Sequence, residues 1–245
     1  MGIMKYVIVL LLFVSNFVHG KEIYWYVAAS MTKPAKEITE NYNKMSKNKI
    51  LLITGGSGEL LSKIYASKRG DLYTPAEEFF LEKALQLGII KRYKPILIQE
   101  PVFAISHKSK FSFDNITDLC KANIKIALGN PETMALGKGF KSIKALMPQE
   151  LYNCIVGKKT IDPINISQTV SYLKNNVVDI GLLFKSVAKI NKLNYIEIPS
   201  QWNVKFKAFL AELIYAQDSK ATEEATKFIL ENLHIFEING FDVIK

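Results

Sequence analysis

Gly129-Asn130-Pro131-Glu132-Thr133-Met134-Ala135-Leu136-Gly137 decides how this chain reads. Ahead of it stands a strand-like run, Ile124-Lys125-Ile126-Ala127-Leu128, and behind it a helix-like run from Lys138 to Met147. A loop that leaves a strand and opens a helix keeps several backbone N–H groups without partners, aimed at one point. That makes an anion site without any cation. The pattern recurs at Thr54-Gly55-Gly56-Ser57-Gly58, between Ile50–Ile53 and a helix-like Glu59–Ser67, and again at Ala28-Ala29-Ser30-Met31-Thr32. Each turn alone has a plainer account: Ser30 or Thr32 as a helix cap, Glu132 or Thr133 as another, and the glycines as a simple helix start. Three together point to capture of a small oxyanion.

Outward from these turns, short strands alternate with amphipathic helices, which predicts an α/β fold with mainly parallel sheets flanked by helices. Ile23–Ala28 reads as a strand; Ala35, Ile38, Tyr42 and Met45 then share one helical face. Leu60, Leu61, Ile64 and Tyr65 line the next helix, Asp71-Leu72-Tyr73 is a short strand, and Gly88 ends the helix carrying Phe79, Phe80 and Ala84. The alternation then breaks. Ile96–Ile105 is one long extended stretch with Pro101 inside it, as in a strand passing from one sheet to another. After a middle segment with strands at 124–128 and 178–184 and helices near 116–120, 138–147 and 167–174, a second extended stretch, Tyr195–Pro199, is a candidate return. The chain closes with a strand at 208–215 and a helix near 219–232. Two crossings imply two lobes, residues 21–100 plus 200–245 in one and 101–199 in the other, with a ligand cleft and a hinge between them.

Residues 1–20 read as a secretory signal peptide: Lys5, an apolar run Tyr6–Val14, and Val18-His19-Gly20 before the expected cleavage. The apolar run is short for a membrane span. No Cys follows it, so a lipid anchor at the cleavage site is not expected. A periplasmic location follows. The formal charge of +9 falls to +8 without Lys5. The lysines are scattered, with no block or aromatic interleaving that would mark a nucleic-acid surface. Cys120 and Cys154 could pair in an oxidising compartment, but sequence leaves that open. Two cysteines and two mature histidines at these spacings predict no metal site, and no cofactor motif is present.

Catalytic patterns fail one by one. Glu59 stands where a G-x-S-x-G elbow needs glycine, and no Lys-Ser or Lys-Thr pair follows the glycines as a P-loop requires. His107 and His234 have no nucleophile or carboxylate beside them in a recognisable pattern, and Glu77-Glu78 and Glu223-Glu224 read as solvated helix faces. No enzyme is expected.

Taken in order, Ala28-Ala29-Ser30, Gly56-Ser57-Gly58-Glu59-Leu60, Gly70-Asp71-Leu72-Tyr73, Leu128-Gly129-Asn130-Pro131-Glu132-Thr133 with Gly137, Asp179–Phe184 and Asn239-Gly240-Phe241 carry a resemblance. Across most of the mature chain the pattern resembles the periplasmic molybdate-binding proteins of ABC importers, with the type II periplasmic binding protein fold. The resemblance implies a monomer that holds a tetrahedral oxyanion, molybdate or tungstate first, through serine hydroxyls and backbone N–H groups, and hands it to a membrane permease. By position the serines are Ser30 and Ser57, and the N–H donors Leu136 and Ile166, with Asn165 or Ser167 as alternatives in the last register. The family's tyrosine position falls on Phe184, which has no hydroxyl, and Tyr73-Thr74-Pro75 departs from the family's Ser-Ala-Asp ending. Tyr73, Thr74 or Thr133 could supply the missing donor. Sulfate, phosphate or a small organic molecule, such as an organic acid or a cofactor precursor, therefore stands as the alternative cargo. Only Arg69 and Arg92 exist to clamp a carboxylate, and neither lies in a candidate loop.

Overall fold

A computed structural model describes residues 20–121 and 123–244; the expected signal peptide, apart from Gly20, lies outside the described residues. The chain starts with β1 (Glu22–Ala28), a buried run as an interior parallel strand requires. A 3-10 turn at Ala29–Met31 leads into α1 (Thr32–Met45), which buries Ala35, Ile38 and Tyr42. Met45, expected on that face, is 79% exposed, because the helix ends there and Ser46 is already extended. Then come β2 (Lys49–Gly55), α2 (Ser57–Ser67), β3 (Leu72–Thr74), α3 (Glu78–Gln86), and β4 (Ile90–Gln99). Leu60, Leu61 and Ile64 are buried as α2's periodicity predicts, but Tyr65 is exposed and lies under the Lys68 ammonium, 4.0 Å from its ring centre. Gly88, at φ +66°, turns the chain out of α3 in a backbone region that other residues rarely enter.

β5 (Pro101–Ile105) continues β4 after one residue, Glu100, but in a different sheet. The middle of the chain forms α4 (Asp118–Lys121), β6 (Ile126–Ala127), α5 (Ala135–Ile143), α6 (Gln149–Gly157), β7 (Lys159–Ile161), α7 (Ile166–Lys174), β8 (Ile180–Phe184), α8 (Lys185–Ile190) and β9 (Tyr195–Glu197). β10 (Phe206–Leu213), α9 (Ser219–Glu231), α10 (His234–Ile238) and β11 (Asp242–Val243) return to the first sheet. Residues 195–197 are an edge strand of the second sheet rather than the crossing itself, which runs through 198–205. Periodicity missed α6, β7 and α8, and α5 starts a turn earlier than Lys138.

The six-stranded sheet has the order β11-β4-β10-β3-β1-β2 and the five-stranded sheet β7-β6-β8-β5-β9. The expectation of mainly parallel sheets needs correction, since both are mixed. The βα strands pair in parallel (β1 with β2 and β3, β6 with β7 and β8), whereas crossing and returning strands β4, β5, β9, β10 and β11 run antiparallel to their neighbours. A chain that enters a second lobe by extending one strand must run against the parallel set. Two such lobes flanked by helices are the two-lobed periplasmic binding protein architecture.

Cys120 and Cys154 form a disulfide with Cα atoms 5.9 Å apart, tying α4 to α6 across 34 residues. In the chain-entropy account a loop of that length stabilises the folded state by about 4 kcal/mol. The two crossings are tied together as well: the Asn203 amide donates to Glu100 Oε1 and to the Pro101 carbonyl, both at 3.3 Å. Lys185 bridges Glu197 at 2.6 Å and Glu100 at 3.7 Å.

Candidate functional site

Six βα junctions face one another across the lobes. From the first sheet come the ends of β1, β2 and β3; from the second, those of β6, β7 and β8. Strand C-termini that feed helix N-termini are where α/β sheets bind ligands. Ala28–Ser30, Gly55–Ser57 and Ala76 on one side, and Met134–Leu136, Ile166 and Phe184 on the other, enclose a small cavity. With the lobes this close its volume, about 10 Å³, is room for about one water molecule, and it admits no extended solute. No charged side chain lines it.

Five of the seven residues singled out from sequence therefore meet in one place: Ser30, Ser57, Leu136, Ile166 and Phe184. Ser30 is not a helix cap. Its hydroxyl is buried without a protein hydrogen-bond partner, while Thr32 Oγ1 donates to the Ala29 carbonyl instead. Ser57 is held on two sides. Its carbonyl accepts the Tyr73 hydroxyl at 2.8 Å, and its Oγ accepts the Ala76 N–H at 3.1 Å, which leaves the hydroxyl hydrogen for a ligand. Gln99 Nε2 donates to the Ala76 carbonyl and fixes that segment in turn.

Tyr73 and Thr133 do not line the cavity. Tyr73 is fully buried, with burial and then the nearby Glu77 pushing its phenol well above the ordinary range, so it stays a neutral donor that positions Ser57. Thr133 Oγ1 donates to the Ile164 carbonyl. Thr74 accepts the Trp25 indole N–H in the core and does not line the cavity either. Phe184 presents hydrocarbon to the cavity and packs edge-on against Phe206, ring centres 6.3 Å apart.

The second lobe contributes backbone. α5 opens at Met134 without a side-chain cap, and Met134, Ala135 and Leu136 at its start line the cavity, so its first N–H groups are free of a side-chain partner beside it. α7 opens beside it, with the Asn165 side chain accepting from Gln168 N–H and leaving the N–H of Ile166 outside the cap. The positive ends of these helices favour an anion.

Sequence reads the glycines as a flexible turn where backbone can approach a ligand; the structure shows them approached by the opposite lobe as well. Gly58 N–H donates to the Thr133 carbonyl at 3.0 Å, a direct bond between lobes. A Cβ on Gly56 would lie 2.3 Å from Thr133 O and 2.6 Å from Ile164 O; one on Gly58 would lie 2.3 Å from Glu132 O. These positions are glycine because the opposite lobe rests on their backbone.

Glu77 corrects another expectation. It is not solvated but 4% exposed, caps α3 through a 3.1 Å bond from Phe79 N–H, and leaves Oε1 without a partner. Burial, opposed by that N–H and by Lys138 and reinforced by Glu78 and Glu82, raises its carboxyl from 4.5 to about 7. Because the folded value lies above the unfolded one, Glu77's contribution to stability is full below about pH 4.5 and is lost as pH rises to about 7. That difference bounds the loss at about 3 kcal/mol. Glu77→Gln is expected to gain on the wild type in unfolding midpoint as pH rises from 4.5 to 7.5; parallel calorimetric profiles would contradict the burial argument.

Two lobes, a hinge of two crossings and a cavity of helix starts define the class of extracytoplasmic solute-binding proteins. The chain belongs to the bacterial extracellular solute-binding protein family, whose model matches residues 23–242. A Bacillus subtilis protein of proposed role as an ABC transporter substrate-binding lipoprotein is 27% identical over 225 residues, covering 87% of this chain and 84% of that one. The periplasmic molybdate-binding protein of Azotobacter vinelandii shares the fold with a TM-score of 0.78 at 14% identity, covering 91% of this chain and all of that one. The sulfate-binding protein of Mycobacterium tuberculosis does so with a TM-score of 0.82 at 12% identity, covering 92% and 88%. Members of this family bind solutes for transport rather than transform them, and those of ABC importers work with a membrane permease.

Proposed function

We propose that the chain captures a tetrahedral oxyanion, molybdate or tungstate in first place and sulfate next, in the periplasm, and delivers it as a monomer to an ABC permease. The observation that carries this reading is the Ser30 hydroxyl, buried without a partner at a compact, uncharged cavity onto which helix N-termini open. Hydroxyl and N–H donors that saturate the oxygens can hold a dianion without a counter-charge. The fold's likeness to molybdate- and sulfate-binding proteins supports the same class.

The donor set also speaks to protonation. No carboxylate lines the cavity, and one of its two serine oxygens already accepts the Ala76 N–H. Hydrogen phosphate brings a P–OH that needs an acceptor, and a buried donor left unpaired costs about 1–3 kcal/mol. Anions without protons are favoured. An organic carboxylate is disfavoured, because Arg92 is paired with Glu212 at 2.7 Å and neither arginine reaches the cavity lining.

A thermal-shift panel with molybdate, tungstate, sulfate and phosphate tests the proposal. A ligand at 100 times its Kd adds about 2.7 kcal/mol to stability. The expected result is a clear rise in midpoint with one or more of the first three and a smaller one with phosphate. A flat response to all four would overturn it.

A further inference from the structure

Beside the closed cavity lies a second hollow between the lobes, of about 390 Å³. The two share Ala29, Ser30 and Ile166, so a single wall separates them. The floor is apolar, from Val170, Val187 and Ile190, and its charged residues are Lys33 and Lys36, on the first turns of α1. No carboxylate lines it. Lys33 forms no ion pair among the described residues, and Lys36 makes a loose exposed contact with Glu40 at 3.8 Å.

Elsewhere around the cavity the lobes touch. Gly56 rests on the Thr133 and Ile164 carbonyls, Gly58 bonds Thr133, and Lys138 from α5 sits 4.1 Å from the Phe79 ring centre. Carboxylates cluster along that seam: Glu59 on the Gly56 N–H, exposed Glu132, and Glu77 with Glu78. Of the cavity's surroundings, one side is open and carries only basic charge; the other is closed by backbone and carries several carboxylates beside one lysine, Lys138.

We infer that the Lys33–Lys36 hollow is the vestibule through which the anion reaches Ser30, and that these two lysines set the rate of capture. The inference rests on the oxyanion reading above. A cleft of one sign between low-dielectric walls focuses the field and raises the encounter rate of the opposite charge, by tenfold to a thousandfold in strong cases, and salt removes the effect. Neither lysine lines the cavity, so neither holds the ligand once it is bound. Their effect belongs to association and not to release.

The test is stopped-flow tryptophan fluorescence with molybdate at 20 and 200 mM NaCl; Trp202, on the return crossing, is placed to report closure. Three proteins are compared: wild type, Lys33→Glu/Lys36→Glu, and Lys91→Glu/Lys110→Glu, which carries the same net charge from exposed sites outside the vestibule. Expected are a fall in association rate of about tenfold at low salt for the vestibule pair alone, a dissociation rate within twofold of wild type, and convergence at high salt. An equal fall in the control pair would assign the effect to net charge and overturn the inference. So would an unchanged association rate, or a change confined to dissociation. A wild type that gives no binding signal with molybdate, tungstate or sulfate would instead overturn the oxyanion reading, and this inference with it.

Discussion

Ser30→Ala is expected to weaken oxyanion binding by about tenfold to a hundredfold while leaving the unliganded protein at least as stable as the wild type. The two halves have one cause. A hydrogen bond to a charged group contributes about 1.5–3 kcal/mol, and a polar group buried without a partner costs about 1–3 kcal/mol. Ser30 Oγ is buried without a partner when the lobes are together and meets water when they part, so its removal costs the unliganded fold nothing and removes a donor only when the anion arrives. A serine kept for the fold would behave in the opposite way, since loss of a helix cap costs about 1 kcal/mol. Calorimetric binding and an unfolding midpoint on the same preparation separate the cases. Reduced stability with unchanged affinity would remove Ser30 from the site. Ser57→Ala makes the contrast, because Ser57 Oγ also accepts the Ala76 N–H and its loss strands a backbone donor. That variant should lose affinity and stability together.

The sequence carried more of the site than of the fold's finer parts, for a physical reason. Gly56-Ser57 and Asn130–Leu136 announce themselves because helix starts after strands need particular backbone chemistry, which few residue types supply. Local rules singled out the turns that hold Ser30 and Ser57 and the loop before Leu136, whereas Leu136, Ile166 and Phe184 themselves were placed only by the family resemblance; all five meet at one cavity. Tyr73 and Thr133 could not be sorted that way. Their hydroxyls are taken by carbonyls distant in sequence, those of Ser57 and Ile164, and no local pattern encodes which partner is spent. The same limit hid Glu77, which is buried at the start of α3 although its neighbour Glu78 reaches solvent, a difference set by tertiary packing and not by the local pattern. Strand direction was missed because alternation of strand and helix fixes the βα pairs but says nothing of β4 and β10, which carry the chain between lobes. α6 and α8 are short, at nine and six residues, and one turn or two leaves little periodicity to read.

Gly56→Ala is expected to abolish tight binding without harming the fold. Gly56 has φ −67° and ψ 144°, an ordinary extended conformation that alanine adopts freely, so the backbone itself does not demand glycine. The demand comes from across the cleft. With the lobes together, the added methyl would stand 2.3 Å from one carbonyl oxygen and 2.6 Å from another, contacts that real side chains do not make. Backbone carbonyls cannot swing aside as a flexible side chain can, so the lobes must part, and the 3.0 Å bond from Gly58 N–H to Thr133 O goes with them. Overpacking of this kind costs about 1–3 kcal/mol, and the parted lobes also withdraw the α5 N-terminus from the anion. A loss of about a hundredfold in affinity follows. The open protein never forms the clash, so its unfolding midpoint without ligand should hold within a degree or two of the wild type. Small-angle scattering supplies the structural readout: the wild type should contract on adding saturating anion, and the variant should not. A variant that binds and contracts like the wild type would mean that the lobes close in a different register, and the glycine run would need another explanation.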